Sequence, residues 1–217
     1  MKERPILFSA NMVRAILADN KTQTRRIMKP TKAFSAAALD ELAPVMRQRK
    51  WHQAVEMGPC DGVRRKYNCP YGQPGDRLWV RERFRYHYDE ANLWDCIQYA
   101  DGSMIKPDGL DEADGHKFSE RCRADAPWRP SIHMPRWASR ITLAITDVRV
   151  ERLHDISADD SIAEGMHPHP MKDYVGPPHE FMATWLAIHG AYSWNLNPWV
   201  WVIEFWRLPN AKDQGRA

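Results

Sequence analysis

The chain lacks the close thiolate pair from which structural zinc sites are built. Four cysteines occur, at 60, 69, 96 and 122, and the nearest two have eight residues between them. Zinc sites of this kind use CxxC pairs, so the spacing reads as reduced structural thiols in a reducing compartment. His167 and His169, in the proline-rich run Gly165-Met-His-Pro-His-Pro, do not complete a ligand set. No metal and no other cofactor is expected. There is no apolar run near the ~18 residues that a membrane span requires. The first ten residues carry Lys2, Glu3 and Arg4 and only three apolar residues after Pro5, so the apolar core of a secretory signal is missing. A cytoplasmic chain with no membrane partner is expected. Glycine-rich phosphate loops (GxxxxGK[ST], GxGxxG) and internal repeats are also missing. Charge of one sign is scarce: 31 basic against 28 acidic side chains leave +3. That excludes an acidic disordered chain and a strongly cationic nucleic-acid tail.

What is present fits one globular domain with insertions: 217 residues, 43% hydrophobic and 27% charged. The small net charge conceals an uneven distribution. Residues 1–33 carry eight basic and two acidic side chains, residues 127–152 five and two, and residues 153–204 one and seven. A folded basic face would attract phosphate or a nucleic-acid strand. Ten tryptophans occur, five of them (185, 194, 199, 201 and 206) near the C-terminal end, where they suit core packing. Only Trp79 and Trp137 flank polar motif segments and remain as surfaces on which a nucleobase could stack.

Asn11 to Ala18 reads as a helix with Val13, Ile16 and Leu17 on one face, ending at Asp19-Asn20. Lys21-Thr-Gln-Thr-Arg-Arg-Ile-Met28 reads as a strand. Alternation then puts Thr22, Thr24 and Arg26 on one face and Gln23 and Arg25 on the other; Lys21 follows this parity only if it is not in the preceding turn. Residues 34–57 read as a helical insertion broken by Pro44, and Gly58 to Gly75 as loop. After the Gly75-Asp76 turn, residues 78–84 read as a strand on which Glu82 shares the face of Leu78 and Val80. A carboxylate there needs a partner: a structural arginine, or a place in a site. Residues 101–127 read as a polar surface insertion. Pro130 and Pro135 constrain the segment that holds Ser131, His133 and Trp137. Residues 140–150 read as the longest strand, with a bulge or bend near Thr146-Asp147 where the buried parity switches. Ser157-x-x-Asp160 signals a helix start, and Gly165 its end. Residues 180–189 read as a helix with Phe181, Trp185 and Ile188 on one face, and Trp199 to Leu208 as a closing strand of alternating burial. Strands with scattered helices and no βαβ rhythm indicate an α+β fold, a small β-barrel decorated with helices.

Three segments carry chemistry: Lys21-Thr22-Gln23-Thr24, the Gly75-Asp76 to Glu82 strand, and Ala163-Glu164-Gly165. In the order helix, Lys-Thr-x-Thr-x-Arg, Gly-Asp-x-Leu-x-Val, long strand, helix ending in Glu, aromatic strand, the chain resembles the ASCH domain. That family is a β-barrel related to the PUA RNA-binding domain. The resemblance covers residues 5–30, 70–100 and 130–208, making residues 1–217 a single ASCH-type domain with insertions at about 34–58 and 102–127, the long form found in tailed phages and prophages. One branch hydrolyses the amide of N4-acetylcytidine. It carries a Lys-Thr-x-Thr run, matched here by Lys21 and Thr24, and a Glu on a later helix, matched by Glu164 beside Gly165-Met166. Other branches carry Glu where this chain has Thr24.

The resemblance implies an N4-acylcytidine amidohydrolase. Thr24 attacks the acyl carbon, Lys21 takes its proton, and Glu164 protonates or orients the leaving N4. Burial or a neighbouring cation such as Arg25 or Arg26 would lower the Lys21 pKa enough for this. Alternatively Lys21 and Glu164 activate water while Thr24 only holds the substrate. Arg26, Tyr71, Trp79, Glu82 and His133 are placed near the substrate. The expected partner is a small nucleoside, or RNA. A non-catalytic RNA- or nucleotide-binding module and an ASCH-type ribonuclease are the competing functions. A carboxylate at a helix C-terminus opposes the helix dipole, which supports a functional role for Glu164.

Overall fold

The fold is described from a computed structural model over residues 1–28, 55–57, 65–107, 112–123, 126–167 and 177–209. In chain order these form β1 (Glu3–Leu7), α1 (Ala10–Leu17), β2 (Gln23–Ile27), β3 (Val55–Met57), β4 (Arg65–Tyr67), β5 (Arg77–Arg81), β6 (Phe84–Asp89), β7 (Trp94–Tyr99), β8 (Met104–Ile105), α2 (Glu112–Arg123), β9 (Thr142–Arg152), α3 (Ala158–Ala163), α4 (Pro177–His189) and β10 (Trp199–Arg207). The class is α+β. The sheets run β1-β5-β9-β10-β2, β3-β4 and β6-β7-β8. No described helix is long and apolar enough to cross a membrane. The chain divides into two compact units, residues 1–2, 15–77 and 144–207, and residues 3–14, 78–143 and 208–217.

In the first unit β10 pairs antiparallel with β2, Ile203 opposite Thr24 and Glu204 opposite Gln23. Trp199 to Ile203 are all buried. Burial on both faces replaces the expected alternation, because this strand is covered above and below. Val200 and Val202 join Leu153, Ile156, Phe181 and Trp185 in one apolar cluster. Ile188, expected on the same helix face as Phe181 and Trp185, is exposed instead, in the last turn of α4 before Gly190. Along β9 the buried parity passes from Leu143 and Ile145 to Val148 and Val150 across Thr146-Asp147, as the sequence pattern indicates. Residues 55–57 are strand rather than helix, paired with β4 in the stretch read as loop, Val55 opposite Tyr67. Pairing gives these short segments the backbone hydrogen bonds that a loop would leave to water. Residues 34–54 and 58–64 lie outside the described residues.

In the second unit β6 and β7 form a hairpin, Phe84 opposite Tyr99 and Tyr86 opposite Ile97. Its core joins these four to Phe118, Cys122, Met134 and Ala138. Phe118 and Cys122 come from α2, so the segment read as a polar surface insertion supplies core. Two apolar residues four apart make a stripe too narrow for composition to reveal. The strand expected over 78–84 is two strands, broken at Glu82-Arg83. Glu82 is buried at the break and receives two bonds of 2.8 Å from Arg140, from Nε and Nη2. Arg140 also pairs with Asp101 at 2.7 Å, donates to Ser103 Oγ, and lies 4.1 Å from the centre of the Tyr99 ring. The partner that Glu82 requires is therefore an arginine. Burial raises the Glu82 pKa, and Arg140 opposes the rise.

Candidate active site

Lys21 and Glu164 meet because both ends of a short connection are fixed. Asp19, at φ 56, ends α1, and the amides of Asn20 and Lys21 both donate to Ala15 O. Thr22 N then donates to Ala163 O at 2.8 Å, docking the start of β2 on the end of α3. At the other end Ser157 caps α3: its side chain accepts from Asp160 N, and the Asp160 side chain accepts from Ser157 N. Glu164 is the C-cap, and Gly165 turns the chain away at φ +93. A Cβ on Gly165 would stand 3.0 Å from the Ala15 Cβ and 3.3 Å from the Lys21 Cβ. This closeness is what brings the lysine onto the helix end.

Lys21 Nζ donates to Glu164 Oε2 at 2.6 Å and to the Glu164 carbonyl at 2.8 Å. The residues are 2% and 3% exposed. A cation thus offsets both the carboxylate and the negative end of the helix. Glu164 Oε1 faces Arg25 Nη1 at 3.4 Å, while Arg25 Nη2 reaches Glu151 at 3.0 Å and Asp160 at 3.1 Å. Arg149 continues the network, pairing with Glu204, with Glu151 at 2.5 Å and with Asp160 at 3.0 Å. Gln23 joins through Asp160 and Arg149. Burial pushes Lys21 below the ordinary lysine pKa; Glu164 opposes this, and Arg26 and Arg25 add to it. Burial likewise lowers Arg26, against the attraction of Tyr71 and Glu164, and burial with Arg26 lowers His189.

The structure therefore brings Lys21, Glu164, Arg26 and Tyr71 into one electrostatic neighbourhood. Thr24 is buried on β2, one residue before Arg25. Lys21 donates to Glu164, and Glu164 accepts in addition from Arg25. Trp79, Glu82 and His133 belong to the second unit. The Arg81 guanidinium lies over the Trp79 ring at 4.8 Å, and His133 sits exposed in a short 3-10 turn. Glu151 and Arg149 are the site-shaping residues that sequence reasoning passed over, and Asp160, read only as a helix start, is the third carboxylate on Arg25. Asp160 and Glu164 lie at i and i+4, a spacing that puts two carboxylates on one helix face and could have signalled a buried cation beneath them. Among the described residues no group of three or more His, Cys, Asp or Glu could hold a metal ion.

Compared with protein-family models, with curated proteins and with solved structures, the chain matches none.

Proposed function

We propose that the protein is an amidohydrolase of the ASCH type, on a PUA-like small barrel, that removes the acyl group from N4-acylated cytidine. The observation that carries this reading is the buried Lys21–Glu164 contact of 2.6 Å, a base and an acid in direct hydrogen-bond contact, with burial lowering the lysine pKa. The resemblance of Lys21-Thr22-Gln23-Thr24 and Glu164-Gly165-Met166 supplies the substrate class. In the proposed cycle a proton first passes from Lys21 to Glu164, and Lys21 then takes the Thr24 hydroxyl proton as the oxygen attacks the acyl carbon. Glu164 gives its proton to N4, the C–N bond breaks, and cytidine leaves from an acyl-Thr24 ester. Water then attacks the ester; Glu164 takes its proton, and Lys21 returns one to Thr24 Oγ. Acid and base are thereby regenerated, and each proton step has either its donor or its acceptor in the pair.

One observation favours a second route. Lys21 already engages Glu164 at 2.6 Å, so the pair can activate water directly, with Thr24 holding the substrate. Acid quench of a single turnover separates the two: an acyl group on Thr24 belongs to the first route only. The function itself is tested by incubating the protein with N4-acetylcytidine and measuring cytidine. Release by the wild type, lost in Lys21→Ala and reduced in Thr24→Ala, is expected. No release, or undiminished release from Lys21→Ala, overturns the reading.

A further inference from the structure

Helix α4 carries a row of rings from the interior of the first unit to its surface. Phe181, Trp185 and His189 recur every four residues and so share one helix face. At the inner end the Arg25 guanidinium lies 5.9 Å from the centre of the Phe181 ring, and Arg25 is the arginine that faces Glu164. The ring centres of Phe181 and Trp185 are 6.0 Å apart, and those of Trp185 and His189 are 4.2 Å apart, with the planes at 37°. Phe181 and Trp185 are buried in the apolar cluster with Val200 and Val202. His189, at the outer end, is exposed. Its imidazole rests against a buried indole, and among the described residues no other ring lies on it. Core packing accounts for Phe181 and Trp185 but not for an exposed imidazole held on that indole.

The charge next to His189 is a charge of the candidate site. Burial and the Arg26 guanidinium hold the His189 pKa below its ordinary 6.5, so the ring is neutral near pH 7. Arg26 in turn is attracted by Tyr71 and Glu164 and acts on Lys21. Lys21 and Glu164 are buried, whereas His189 is open to solvent. An acyl amide that reaches the pair therefore leaves the rest of its nucleoside between the pair and the surface. A neutral, exposed ring on a fixed backing suits a pyrimidine that lies there, since bases stack on histidine as they do on other aromatic side chains.

We propose that His189 is a specificity-determining residue: the pyrimidine ring of the substrate stacks on its exposed face, while Trp185 fixes the imidazole from behind. This rests on the hydrolase reading for the reacting end of the substrate and extends it to the end that does not react. The test combines kinetics on N4-acetylcytidine with NMR of the histidine rings during titration with cytidine. His189→Ala should raise KM and the cytidine dissociation constant at least about tenfold, with kcat within about twofold of the wild type, and His189→Phe, which keeps a flat ring, should bring both constants back to within about threefold. The ring signal lost in His189→Ala identifies His189, and in the wild type that signal should shift saturably with cytidine. An unchanged KM in His189→Ala, a loss confined to kcat, no recovery in His189→Phe, or a His189 signal indifferent to cytidine overturns the inference. Wild-type protein that releases no cytidine from N4-acetylcytidine, but whose His189 signal shifts with cytidine, overturns the hydrolase reading and supports the stacking, so the two failures are distinguishable.

Discussion

Replacing Glu164 by Gln keeps the size and planarity of the side chain and removes one charge. Two fully covered cations then lose a counter-ion, since the Lys21 and Arg25 side chains are both 0% exposed. Their losses differ. Arg25 keeps Glu151 and Asp160, whereas the carboxylate at 2.6 Å from Lys21 is gone. Breaking a buried pair by removing one partner costs about 3–5 kcal/mol. For a protein of this size that corresponds to a fall in Tm of roughly 6–20 °C. The sign of the pH dependence follows from Lys21. Its folded pKa already lies below the ordinary 10.5, and Glu164 is the chief influence holding it up. Between the folded and unfolded values the unfolded chain binds the proton and the folded chain does not, so stability rises with pH. Removing Glu164 moves the lower edge of that window down. The deficit of Glu164→Gln should therefore be largest near neutral pH and should shrink on the alkaline side. Chemical unfolding of both proteins across pH measures it. A variant within about 1 kcal/mol of the wild type at neutral pH, or a deficit that grows as pH rises, would refute the assignment of Glu164 as the counter-ion of Lys21.

Gly165→Ala should destabilise the protein by about 1–3 kcal/mol through its positive φ, and slow cytidine release by displacing Lys21, whose Cβ the new methyl would approach to 3.3 Å; equilibrium unfolding and turnover measured together check both effects. Ser157→Ala removes the capping box of the helix that carries Glu164 and should cost about 1 kcal/mol, read from the urea midpoint. The mechanism needs the pair to hold one proton, so kcat/KM should fall in the alkaline range as that proton is lost, with the midpoint of the fall below 10.5, the ordinary lysine value; a profile that still rises there contradicts Lys21 and Glu164 as base and acid.

The parts of this structure legible in the sequence are those fixed by neighbours along the chain. The start and stop of α3, set by Ser157, Asp160 and Gly165, bracket a helix of six residues and put Glu164 at its end. The parity switch in β9 is written in the spacing of Ile145 and Val148. The alternation on β2 correctly groups Gln23 with Arg25, both of which reach Asp160. It does not reveal that Arg25 contacts Glu164, because that depends on a segment 139 residues further along. Glu82 shows the same limit: its apolar-patterned position signals a buried carboxylate, but only the fold identifies Arg140 as the partner. The core role of α2 is hidden for a different reason, since Phe118 and Cys122 are isolated apolar residues in a polar helix. Tryptophan clustering is a partial guide: Trp185, Trp199 and Trp201 are buried, while Trp206 is half exposed.

The central claim, that the Lys21–Glu164 pair drives amide hydrolysis, is tested most directly by kcat/KM for N4-acetylcytidine in the wild type, Lys21→Ala and Glu164→Gln, each confirmed folded by circular dichroism. General acid–base groups contribute about 10²–10⁴-fold, so each folded variant should fall by at least about a hundredfold. Activity of either folded variant equal to that of the wild type would contradict the claim.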